Sequence, residues 1–477
     1  MPPDETQIAN KGYSMRKIGI IGGGFSGTMT AVQLINNTIE PIEITIINER
    51  ETFNKGVAFS PYSKKHLLNV STAKMSAFAD DPNHFLDWVM KQSAYQNKDK
   101  TIIANSFLPR YLYGQYLTDI WKETIHSKNA GKVKINIIEA YVIDLDVDET
   151  TVSVVLSDNE SLTFDACVIA SGNNIPGNPK IKNTSFFNSK KYFQNPWNID
   201  CVSNTNSKKP ILIIGNGLTM VDTVSGLLEH GFDNEIYSIS PNGFNILPHR
   251  HSGIKYTNLI EELKEDATLY DITKLFNKHI KLIREFGLSA EPIIDSLRPF
   301  TQRIWQKLTV NEKRLFMSRL RHLWGVARHR IPLQIHDKMQ HLRIEGKLKI
   351  FAGRLIDISE TPDSVKVEFY SKNHKQKEEI NVSRVINCTG PETDLMLLEK
   401  SFLKNCLMKG IITQDELKLG INADTETYQL VDRNGNKHAN LFTLGSNLKG
   451  MLWETTAVNE LRTQAEQLAK IILRNRH

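Results

Sequence analysis

The sequence predicts an α/β fold: two Rossmann-like dinucleotide-binding domains with a helical insertion. Two observations predict the pair of domains. The apolar strand Lys17–Ile21 runs straight into Gly22-Gly23-Gly24-Phe25-Ser26-Gly27 and a helical stretch, and the apolar strand Pro210–Ile214 does the same into Gly215-Asn216-Gly217-Leu218-Thr219-Met220. A third observation predicts the insertion. From about Arg250 to Leu348 the apolar spacing is helical, with no strand pattern.

In the first module each residue type has a physical task. Gly22 permits the tight turn out of the strand, Gly24 lets the backbone approach a pyrophosphate, and Gly27 lets helix and strand pack closely. Phe25 and Ser26 open the helix, whose free N–H groups and partial positive charge attract that pyrophosphate. A second strand, Ile42–Ile47, ends at Asn48-Glu49-Arg50. Glu49 stands 22 residues beyond Gly27, where a carboxylate accepts hydrogen bonds from ribose hydroxyls. An acid there argues for an unphosphorylated ribose, as in FAD or NAD.

The second module has Met220 where the third glycine would stand, and Gly231 suits its helix stop. After its next strand, Ile236–Ile239, comes Ser240-Pro241-Asn242, with neither an acid nor an arginine pair. The sequence therefore leaves NADPH and NADH open. A half-module kept only for packing is the other reading. Two further apolar strands end in small-residue turns, at Ser171-Gly172 and at Thr389-Gly390. Such turns sit near the cofactors in paired nucleotide domains. A last strand, Leu441–Leu444, ends at Gly445-Ser446, and after a loop through Trp453 a helix is expected from near Glu454-Thr455-Thr456 to about Leu473. Its N-terminus beside a flavin ring would stabilise the reduced flavin anion.

These reads give a domain plan. Residues 1–14 form a flexible N-terminal tail. Residues 15–205 and 380–477 form a discontinuous FAD-binding domain. Residues 206–250 and 346–379 form an NAD(P)-binding domain, and 251–345 a helical insertion or lid.

Composition sets limits. The 477 residues carry a net charge of +6, too mild to imply nucleic acid or a membrane surface. The basic excess is local: residues 251–350 hold 19 Lys/Arg against 11 Asp/Glu. Either a solvated helical surface or a face toward an anionic ligand explains it. Cys167, Cys201, Cys388 and Cys406 form no C-x-x-C pair and no zinc spacing. That removes the usual redox disulfide of flavin reductases, gives no reason to expect a metal, and fits a cytoplasmic protein. No apolar run of ~18 residues predicts a membrane span.

The motifs resemble a poorly characterised bacterial FAD/NAD(P)-binding protein family, related more distantly to flavin-containing and N-hydroxylating monooxygenases. The stretches that carry the resemblance are Gly22–Gly27, Gly56–Ser60, His66–Val70 with Met75-Ser76, Pro109–Gly114, Gly217–Asp222, Trp324–Arg330, and Gly450–Val458 with Leu461-Arg462. The resemblance implies FAD in the first module and NADPH or NADH in the second. It implies that residues 56–76 line the flavin, with His66 and Asn69 as candidate catalytic residues and Ser76 as a cofactor contact. Arg50 joins Glu49 at the adenosine end, and Trp453 and Thr455 join Gly445 near the flavin.

His66 is a candidate proton shuttle, since histidine titrates near neutrality, or a plain structural histidine. Arg110 contacts an FAD phosphate or pairs with an acid. Arg328 and Arg330, flanking His329, either complement a helix C-terminus or clamp the carboxylate or phosphate of a small-molecule substrate. The activity so implied is NAD(P)H-dependent monooxygenation of a small amine through a flavin C4a-hydroperoxide. The alternatives are a flavin dehydrogenase or reductase without oxygen insertion, and an FAD-holding redox sensor without turnover. The sequence does not give the oligomeric state.

Overall fold

The computed structural model describes residues 15–49, 52–205, 208–250, 254–399 and 401–474. The tail expected at residues 1–14 and the Arg50 side chain lie outside the described residues. β1 (Arg16–Ile21), β2 (Ile42–Ile47) and β3 (Val133–Ile138) run parallel, with Ile18 opposite Ile44 and Ile44 opposite Ile135. Ile18, Ile20, Ile44 and Ile46 are fully buried. Strands covered on both faces must be apolar throughout, which is why they read as continuous runs.

An antiparallel flap follows, β4 (Val142–Val147), β5 (Val152–Leu156) and β6 (Ser161–Phe164). β7 (Ala166–Ile169) then returns beside β1.

The second sheet begins with β8 (Tyr192–Phe193), β9 (Ile211–Ile214) and β10 (Ile236–Ser240). β11 (Leu348–Glu360) pairs parallel with β10 and then turns antiparallel against β12 (Val365–Ser371), which pairs with β13 (Gln376–Val382). β14 (Arg384–Asn387) lies between β9 and β8. β15 (Gln429–Val431) and β16 (Lys437–Thr443) close the first sheet, in the order β15-β16-β7-β1-β2-β3.

Two expectations change. β14 and the last three residues of β13 stand with the second sheet rather than in a segment of the first module starting at residue 380, and β8 joins them from within residues 15–205. A short apolar run reveals that it is a strand, but its partner is a tertiary choice. The C-terminal helix starts at Val458 rather than near Glu454. Glu454 has φ 65°, a left-handed backbone that stops a helix from beginning there.

Between β10 and β11 the described chain is helical, as expected, from Asn258–Glu262 through Leu333–Ile344. Among the described residues no helix is long and apolar enough to cross a membrane.

The two modules are joined by a buried ion pair. Arg110, at the start of the helix Arg110–Ile125, sets its guanidinium 2.9 Å from Asp222 Oδ2 on the helix Leu218–Glu229 of the second module. The two side chains are 10% and 12% exposed, and Arg110 Nε also donates to the Leu67 carbonyl at 2.9 Å. His66 adds a second tie, its Nε2 3.0 Å from the Asp222 carbonyl. Removing one partner of such a pair strands a buried charge. Arg110→Met is expected to lower unfolding stability by about 3–5 kcal/mol, and Arg110→Met combined with Asp222→Leu to recover most of that loss. Chemical denaturation followed by circular dichroism measures both.

Candidate active site

The chain leaves β1 through Gly22 at φ 102°, a conformation that a side chain would strain. An added Cβ there would also sit 2.8 Å from the Ala170 carbonyl carbon, just past β7. Gly27 packs so closely on the Gly22 carbonyl that any side chain would overlap it. Gly24 is the N-cap of the helix Phe25–Asn37, and no side chain caps it. The first amides of that helix are thus left for an anion.

Three other segments line the same turn. Asn48 Oδ1 accepts from Gly23 N at 2.8 Å, and Asn54 N donates to the Gly23 carbonyl at 2.7 Å. Gly445, at φ 76° beyond β16, would place a Cβ 3.2 Å from Ser26 Oγ. Glu49 is exposed at the end of β2, where ribose hydroxyls would lie. Phe25 turns its ring into the core, stacked on Tyr113 with centroids 6.4 Å apart, so only its backbone would serve a ligand.

The second module repeats this geometry. Gly215 has φ 106°, and a Cβ there would sit 2.8 Å from the Cys388 carbonyl carbon, just past β14. Gly217 caps the helix Leu218–Glu229 without a side-chain bond, and nothing stands within 4 Å of its missing Cβ. Leu218 and Thr219 open that helix. Met220 is only 3% exposed and belongs to the second module's core. Gly172 and Gly390, at φ 73° and 93°, occupy matching places beyond β7 and β14 and border open space. Two uncapped helix starts, each reached by a glycine turn, fit two dinucleotides.

The insertion interrupts the second module yet seats on the first. Trp305 stacks on Trp453 at 4.9 Å and donates from Nε1 to the Gly450 carbonyl at 2.8 Å. Phe316 meets Trp453 edge-on at 5.5 Å and opens a short π-helical turn, Phe316–Leu320. Such turns recur at functional sites. Trp324 Nε1 donates to Glu454 Oε1 at 2.8 Å, and Arg328 Nε lies 3.4 Å from Glu454 Oε2. The strained Glu454 is thus held from two sides by the insertion.

The structure redistributes several expected roles. Arg110 is paired with Asp222 and the Leu67 carbonyl, the acid-pairing alternative. Arg328 is paired with Glu454, and Arg330, 6% exposed, with Asp295. A clamp made of Arg328 and Arg330 is therefore already occupied by acids of the chain itself. His66 is buried in the joint, and burial lowers its pKa, which disfavours proton shuttling near neutrality.

Asn69 uses its carbonyl to hold His249 Nε2 at 2.8 Å. Ser76 spends its hydroxyl on the Asp81 carbonyl at 2.6 Å. Trp453 faces the insertion, while Thr455 is fully buried and accepts Gln464 Nε2 at 2.7 Å. Gln464 Oε1 in turn accepts Gly445 N at 2.9 Å, which fixes the end of β16.

The sequence reading missed Asp222, Trp305, Arg321, Lys449 and Glu454. Asp222 and Glu454 lie inside the stretches that carry the resemblance. Their roles depend on partners more than a hundred residues away in sequence. Arg321 and Lys449 carry no local motif.

Residues 19–174 match the family described as FAD-NAD(P)-binding. That match falls on the first module, about a third of the chain. It covers the first cradle and ends before the second, which opens at Gly215. The uncharacterised protein YdhS of Escherichia coli strain K12 is 29% identical over 194 residues, 38% of this chain. The match spans 34% of YdhS, about a third of its length.

Similar solved structures include reduced ornithine hydroxylase PvdA of Pseudomonas aeruginosa, with a TM-score of 0.64 at 14% identity over 96% of this chain and 99% of that one. Another is the Kutzneria sp. 744 ornithine N-hydroxylase KtzI with reduced FAD, NADP+ and L-ornithine, with a TM-score of 0.63 at 12% identity over 97% and 99%. At these identities the likeness shows the fold.

Gly22→Ala is expected to abolish flavin retention, because it strains the turn and collides with the Ala170 carbonyl. Gly172→Ala, which borders open space, is expected to lose far less. The ratio of flavin to protein absorbance after purification checks the pair.

Proposed function

We propose that the protein is an FAD- and NAD(P)H-dependent monooxygenase that hydroxylates the nitrogen of a small amine bearing a carboxylate. The overall change balances: amine, O2, NAD(P)H and a proton give hydroxylamine, NAD(P)+ and water. Bound FAD supplies the redox centre that takes a hydride from the nicotinamide and reacts with oxygen.

The observation that supports this reading is the meeting of the basic insertion with the loop after β16. Lys449 stands over the Trp453 ring, Nζ 5.6 Å from its centroid. Desolvation lowers the pKa of Lys449 and the neighbouring Arg321 lowers it further, only partly offset by the Glu454 carboxylate. Desolvation also lowers the pKa of Arg321. Among the described residues neither cation forms an ion pair with a carboxylate. Trp453 Nε1 is buried without an acceptor. Two crowded cations and an unsatisfied donor favour an anionic group, and the substrate's carboxylate supplies one.

The cysteines support chemistry centred on the flavin. All four are buried, and burial pushes the thiols of Cys201 and Cys406 up to about 12. None is poised as a thiolate nucleophile.

With flavin-loaded protein, NADPH or NADH and air, a panel of amino acids with side-chain amines is expected to yield a hydroxylamine in a colorimetric assay. NAD(P)H consumption that gives only hydrogen peroxide with every amine would favour the dehydrogenase or reductase reading. Arg321→Gln is expected to raise KM for carboxylate-bearing amines by about tenfold or more, the cost of one charge-assisted hydrogen bond. KM for a diamine without a carboxylate stays unchanged.

A further inference from the structure

The end of β10 is where a Rossmann module meets the adenosine ribose of its dinucleotide. In the first module the matching position carries the exposed acid Glu49. In the second it carries the turn Ser240-Pro241-Asn242-Gly243, closed by Gly243 N donating to Ser240 Oγ at 3.0 Å. No local residue of that turn is charged.

A charge arrives from elsewhere in the chain. β11 pairs with β10 up to Ala352 opposite Ser240, and β12 returns antiparallel with Ser371 opposite Gly353. Lys372 follows at once, its backbone N–H donating to the Ala352 carbonyl at 2.8 Å. The hairpin thus delivers Lys372 to the end of β10, where its exposed Nζ lies 3.0 Å from Asn242 Oδ1. Among the described residues Lys372 forms no ion pair. The insertion adds to the charge from the other side. Lys372 and Arg321 both lie close enough to His322 to oppose its protonation, after desolvation has already lowered its pKa.

We infer that Lys372, with Asn242 and Ser240, forms the subsite for the 2′-phosphate of NADPH, and that the protein selects NADPH over NADH through it. The inference rests on the proposed function for the nicotinamide cofactor. An acid at a ribose site repels a 2′-phosphate, while a lysine ammonium and neutral donors accept it. The selecting charge comes from the β11–β12 excursion, more than a hundred residues after the strand it serves, which is why the residues following β10 look neutral.

The test uses flavin-loaded protein and two probes that need no turnover. Adenosine 2′,5′-bisphosphate and ADP are titrated by calorimetry into the wild type, Lys372→Met and Lys372→Arg. The wild type is expected to bind the bisphosphate at least about tenfold more tightly than ADP. Lys372→Met is expected to lose most of that preference, and Lys372→Arg to keep it. In turnover, Lys372→Met is expected to lower kcat/KM for NADPH and leave that for NADH unchanged.

Equal binding of the two probes by the wild type, or an undiminished preference in Lys372→Met, overturns the inference. So does binding of neither probe. Preferential binding of the bisphosphate without NADPH oxidation would instead uphold the subsite and remove the proposed oxidoreductase activity.

Discussion

Both nucleotide modules depend on one steric constraint. A strand must turn sharply into a helix while the carbonyl of a neighbouring strand presses on the turn. Only glycine meets it, at φ 102° for Gly22 against Ala170 and φ 106° for Gly215 against Cys388. The turn aims each helix start outward with no side chain to cap it. The unsatisfied amides are unfavourable alone and become a binding site when a diphosphate arrives. Everything built around the cradles, from Glu49 to the uncapped Gly217, makes sense relative to that turn.

The modules become one enzyme through contacts that cross the chain. Arg110, His66 and Asp222 fasten the first module to the first helix of the second. The insertion leaves the second module and seats four aromatic or charged residues on the loop after β16. Glu454 is the focal point of that seat. Its left-handed backbone delays the last helix to Val458 and leaves a loop whose carboxylate can be held by Trp324 and Arg328. The insertion therefore packs as a wall against the loop after β16, and Arg321, one of its basic residues, lies near Lys449 of that loop.

Much of this was legible in the sequence because it is local. The strands beginning at Arg16 and Ile211 are short apolar runs followed by glycine turns, and period and turn chemistry suffice to read them. The helical insertion was legible for the same reason. Partnerships were not. Nothing within Arg384–Asn387 says that it pairs with β9, and nothing near Arg110 says that its anion is Asp222. Arg328 and Arg330 looked available because sequence shows charge and hides its neutralisation by Glu454 and Asp295. Conversely nothing local marks Lys372, and only the register of β10, β11 and β12 brings it beside Asn242.

The central claim is that two equivalent cradles hold a flavin and a nicotinamide that exchange electrons. Anaerobic titration of the purified yellow protein with NADPH tests it most directly. The account predicts that the flavin absorbance near 450 nm bleaches with a stoichiometric amount of nicotinamide and returns on admitting air. A flavin that stays oxidised in excess NADPH and excess NADH, in protein that retains its FAD, would contradict it.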